Sequence, residues 1–62
     1  MKLELLKKIR DEAPPLGVSL AQLVKELGPM TTRDPLYPVR LHLQEAAHNA
    51  TLAGLAAAEL LK

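Results

Sequence analysis

Few residues in this 62-residue chain can do chemistry, and they are thinly spread. The most suggestive group is Glu45-Ala46-Ala47-His48, a Glu-x-x-His pair at i,i+3, with His42 three residues before the carboxylate. Carboxylate-bridged di-iron bundles use that spacing on two of four helices, with a further glutamate from each of the other two. Here the extra carboxylates would have to be Glu12, Glu26 or Glu59, none of which sits in an inward-facing pattern. Glu45 and His48 also fall away from the most apolar face of their own helix. The group therefore reads as a surface carboxylate with two partly exposed imidazoles, and neither a metal nor another cofactor is expected. Nucleophilic catalysis has as little to work with. There is one Ser, no Cys, and no base placed to activate Thr31, Thr32 or Thr51. Gly17, Gly28 and Gly54 are isolated and make no phosphate-binding loop. A chain this short also lacks the volume for a pocket of about 300 Å³ with supporting residues around it. No enzymatic activity is expected.

Composition bounds what remains. Hydrophobic residues make up 48% of the chain, with 14 Leu and 9 Ala, while Tyr37 is the single aromatic. Eight Lys and Arg nearly balance seven Asp and Glu. That is too apolar and too evenly charged for a disordered tail. Without Cys there is no disulfide framework. The longest weakly polar run, residues 50 to 61, contains Glu59 and is well short of the roughly 20 residues a membrane span needs. Lys7, Lys8 and Arg10 occupy the place where a secretory signal has its apolar run. A soluble, cytoplasmic chain is expected. A domain of this size buries only about 60% of the surface its unfolded chain exposes, so small domains often gain stability from a second subunit.

Proline and glycine divide the chain into an expected all-α arrangement of three helices, at about 2–13, 19–27 and 38–61. In the first, Leu5, Leu6, Ile9 and Ala13 fall within an arc of roughly 100° on a helical wheel, one core-facing stripe. Glu4 with Lys8, Lys7 with Asp11 and Lys8 with Glu12 are opposite charges at i,i+4 on the other side. Pro14-Pro15-Leu16-Gly17 reads as a connector. Ser19 then serves as N-cap, with Gln22 in capping-box position, and Leu20, Leu23, Val24 and Leu27 form the next stripe. Gly28-Pro29 ends that helix. Asp34-Pro35 and Pro38 are competing start signals for the third.

The third helix carries two apolar faces. Val39, Leu43, Ala46, Ala50, Ala53, Gly54, Ala57, Leu60 and Leu61 cluster within about 60° of one direction, with no charge among them. Leu41, Leu52 and Leu55 lie roughly opposite, together with His48 and Glu59. Two short helices can cover one side of a long one but not both. The expected architecture is thus a short helical hairpin followed by one long helix, paired into a bundle-like homodimer. Its oligomer interface is expected at Val39, Leu43, Ala46, Ala50, Ala53, Gly54, Ala57 and Leu61, where small side chains let a second backbone approach closely. The function expected on this reading is a small self-associating interaction or structural module.

The stretch Ser19-Leu20-Ala21-Gln22-Leu23-Val24-Lys25-Glu26-Leu27-Gly28 resembles the first helix of a helix-turn-helix motif. Leu5 to Arg10 would be the supporting helix of a winged-helix-like domain, and Val39-Arg40-Leu41-His42-Leu43 the middle of its recognition helix. The resemblance covers residues 2 to 44 and implies nucleic-acid binding through Lys7, Arg10, Lys25 and Arg40. The sequence departs from the pattern after Gly28, where ten residues replace a tight turn, and no β-wing follows. DNA affinity is largely phosphate neutralisation, and the basic excess is small. Residues 1 to 33 hold six basic and four acidic side chains, residues 34 to 62 two and three. Nucleic acid is the alternative partner, and a second copy of the chain the first.

Overall fold

The computed structural model describes residues 2–62 as an antiparallel pair of helices, α1 (Leu3–Leu27) and α2 (Tyr37–Leu60), packed along their whole length. The molecule is a rod, 46 × 15 × 14 Å, two helices wide and one layer thick.

The expected first and second helices are a single one. α1 runs without interruption through Pro14, Pro15, Leu16 and Gly17, and Ser19 lies exposed within it rather than capping a new helix. Each internal proline removes a backbone donor and crowds the carbonyl four residues back, at a cost of about 3 kcal/mol. Of the two, Pro14 is packed against α2 and Pro15 is exposed. Pro14 sits directly over Gly54 of α2, and one turn later Gly17 sits over Ala47 and Thr51. The apparent connector is in fact a place of close approach between the two helices. The stripes on either side of it are also in phase. Leu6, Ile9, Ala13, Gly17, Leu20, Val24 and Leu27 form one continuous buried or half-buried edge of α1.

Gly28 ends α1 as its position suggests. It adopts φ 74° and ψ −178°, a conformation essentially confined to glycine. Its N–H donates to the carbonyls of Val24 and Lys25 at 3.3 and 3.2 Å. In the connector, Asp34 accepts from the Leu36 N–H at 2.8 Å through Oδ1 while its own carbonyl accepts from the Tyr37 N–H at 3.0 Å. This Asx turn delivers the chain into α2, whose first turn holds Pro38, where a missing N–H costs nothing. α2 continues through Gly54 to Leu60, so the long rod expected at the C-terminal end is intact.

The seam of α2 is Leu43, Ala47, Ala50, Gly54, Ala57 and Leu61, at alternating spacings of four and three. That is the repeat of a coiled-coil pair. Small residues dominate it, which permits the close approach and leaves little to bury. Val24 and Ala57, 8% and 3% exposed, are the only apolar side chains in the buried class among the described residues.

The close contact yields a test. A Cβ added at Gly54 would stand 2.5 Å from Cγ and 2.7 Å from Cδ of Pro14, a rigid ring. Gly54→Ala gains about 1 kcal/mol of helix propensity but overpacks the seam at a cost of about 1–3 kcal/mol. It is expected to lower the thermal midpoint in the wild-type background and to raise it in a Pro14→Ala background. Thermal melts of the four proteins followed by circular dichroism check this.

Candidate interaction surface

The eight residues expected at a subunit interface divide into two groups. Leu43, Ala50, Gly54, Ala57 and Leu61 turn into the seam with α1, inside one chain. Val39, Ala46 and Ala53 remain exposed. With Leu60 they form a row spaced by seven residues, 39, 46, 53 and 60, along one flank of the α2 seam. α1 has a matching row on its own flank. Leu5, Leu16 and Leu23 are exposed and Ile9 is half-buried, with Ile9, Leu16 and Leu23 again seven apart.

Both rows lie on the same side of the rod. Seen along α1 from its N-terminus, successive residues of a right-handed helix advance clockwise, while those of α2, coming toward the viewer, advance anticlockwise. The leucine row is displaced anticlockwise from the α1 seam and the Val39–Leu60 row clockwise from the α2 seam. In side-by-side helices these displacements point the same way. A shallow cleft of about 250 Å³, lined by Ala21, Val24, Gln44 and Ala47, marks the opposite side. The register follows from Pro14 over Gly54 and Gly17 over Ala47 and Thr51. It puts Leu16 level with Ala53, Leu23 with Ala46 and Ile9 with Leu60. The outcome is one long apolar face, ridged with leucine on α1 and recessed to alanine in the middle of α2. The one charged residue along these rows is Glu12, exposed between Ile9 and Leu16 at the outer edge of the α1 row.

Sequence reading picked out the α2 half of this face through its small residues. The α1 half is not legible there, because Pro14-Pro15 reads as a break between Leu5 and Ile9 on one side and Leu16 and Leu23 on the other. The signal was present in the seven-residue spacing, which has meaning only if the helix passes through both prolines.

Lys7, Arg10, Lys25 and Arg40 lie toward the side opposite the apolar face. The charges do not pair at i,i+4 as expected. Lys7 stands 3.9 Å from Glu4, and Arg10 makes a two-pronged contact with its neighbour Asp11, Nε to Oδ1 at 2.8 Å and Nη2 to Oδ2 at 3.2 Å. Lys8 and Lys25 have no ion pair among the described residues. Arg40 is half-buried, and its Nε is buried without a hydrogen-bond partner. In the Glu45 group, His42 Nδ1 lies 4.0 Å from Glu45 Oε2, and His48 is exposed. Among the described residues no three His, Asp or Glu side chains converge as a metal site would need.

No helix among the described residues is long and apolar enough to cross a membrane. Comparison with protein-family models, with curated protein sequences and with solved structures returns no match.

The hydrogen bonds from Arg10 hold the Asp11 carboxyl below the ordinary carboxylate range, and Asp11 in turn raises the guanidinium. A depressed carboxylate stabilises the fold above its unfolded pKa, and that contribution is lost as pH falls through the folded value. Arg10→Gln is expected to return Asp11 upward to the ordinary range, read directly by an NMR titration of its carboxyl carbon. An unmoved midpoint would show that the pair is not formed in solution.

Proposed function

We propose that this chain is a small self-associating helical module, an interaction or structural element whose contact surface is the apolar face formed by Leu5, Ile9, Leu16 and Leu23 with Val39, Ala46, Ala53 and Leu60. The observation that carries this reading is how much surface the hairpin leaves uncovered. Its accessible area is 4858 Å², whereas the size scaling of compact monomers gives about 3,950 Å² at this mass. The surplus, roughly 900 Å², matches the ~800 Å² that each partner contributes to a standard protein interface. Five large aliphatic side chains on this face are exposed, Leu5, Leu16, Leu23, Val39 and Leu60, with Leu16 at 60%, against the single Val24 in the buried class. Scattered exposed leucines are ordinary on a monomer, but a row of them beside a second apolar row is the mark of an interaction surface.

Light scattering at micromolar concentration is expected to give the mass of more than one chain. Leu16→Lys, a change at an exposed position, is expected to reduce it to one chain while far-UV helicity is retained. A wild-type mass of one chain throughout the micromolar range sinks the reading.

A nucleic-acid-binding role is the second reading. What favours it is that Lys7, Arg10, Lys25 and Arg40 share one side of the rod, away from the apolar face. Against it, Lys7 and Arg10 are already engaged by Glu4 and Asp11. If the basic side is used, a gel shift on duplex DNA at low salt is expected to weaken steeply as salt rises, and the absence of any shift at micromolar protein removes this reading.

A further inference from the structure

Resting on the self-association reading, we infer that the occupant of the apolar face is a second copy, related by a two-fold axis parallel to the helices, so that α1 of each chain lies across α2 of the other. The argument is one of shape. The face is uneven: α1 presents Leu16 and Leu23, α2 presents Ala53 and Ala46 at the same levels. A two-fold axis along the rod preserves level and exchanges the helices. Leu16 then meets Ala53 of the partner subunit, Leu23 meets Ala46 of the partner subunit, and Ile9 meets Leu60 of the partner subunit.

An axis perpendicular to the helices and lying in the interface plane has the opposite effect. It sets leucine row against leucine row and alanine row against alanine row. Helix pairs separate by 8 to 10 Å according to the side chains between them. One side of that bundle would therefore be wedged apart while the other held a gap. The parallel axis gives both interchain helix pairs the same large-on-small contact and an even spacing.

The apolar rows run about 30 Å along each helix at 1.5 Å per residue on a rod 15 Å wide, a flat projection of roughly 450 Å² per copy, which places the contact at the small end of specific interfaces. Every neighbouring helix pair in the resulting four-helix bundle is antiparallel. The basic sides carrying Lys7, Arg10, Lys25 and Arg40 point outward, far from each other.

The absence of cysteine from the chain makes the arrangement directly readable. Leu16→Cys and Ala53→Cys single variants, both at exposed positions, are co-refolded in equal amounts and oxidised. The expected main product is the mixed disulfide between the two variants, in at least several-fold excess over either homodimeric disulfide. Homodimeric disulfides in excess, or no interchain disulfide, in samples with a two-chain mass would overturn the arrangement while leaving self-association standing. A one-chain mass of the wild-type protein would overturn both. A size exchange gives a second measure that needs no cross-link. Ala53→Leu is expected to weaken self-association roughly tenfold by overpacking, and adding Leu16→Ala to the same chain to restore it to within about threefold of wild type. A double variant no tighter than Ala53→Leu also overturns the arrangement.

Discussion

The close passage of α1 over α2 governs the rest of this structure. Pro14 rests on Gly54, and Gly17 rests on the α2 backbone at Ala47 and on Thr51. Neither pair tolerates an added side-chain atom without movement. The contact sets the register of the hairpin, and with it which residues stand level across the two helices. It also gives one of the two internal prolines of α1 a packing role, because the Pro14 ring is part of the surface the other helix packs against.

Close approach has a cost in buried area. Helices that touch through glycine, alanine and a proline ring enclose little apolar volume, and only Val24 and Ala57 reach the buried class among the described side chains. The larger aliphatic residues are displaced to the flanks. On one side of the rod the flanks of both helices are largely apolar, and on the other exposed Leu3 and Leu55 are mixed with Gln44 and basic side chains. Such a one-layer hairpin has a core only along a line. A second layer is the usual way for helices to complete a core, and the uncovered apolar face is where one fits.

The ion pairs have local effects only. Lys7 with Glu4, Arg10 with Asp11 and Lys62 with Glu59 are exposed and lie within one helix or at its end. Exposed pairs contribute little to stability, and none of these joins α1 to α2. The hairpin is held by shape and apolar contact.

Periodicity along the chain was enough to establish an all-helical protein, the end of α1 at Gly28, the extent of α2 and the small-residue character of its inner face. These are local properties, fixed by spacing, by the conformational freedom of one glycine and by the side chains of a single helix. The same reading stopped the first helix at Pro14-Pro15, because local backbone energetics favour a break there. In the tertiary structure α1 continues, with Pro14 packed on Gly54, a contact between residues forty positions apart. Which half of the Ala/Gly face is spent within the chain, and which half stays open beside Leu16 and Leu23, depends on the relative rotation of two helices. Residues within one helix fix its own apolar stripe, but the partner that stripe meets is fixed only when both backbones settle into contact.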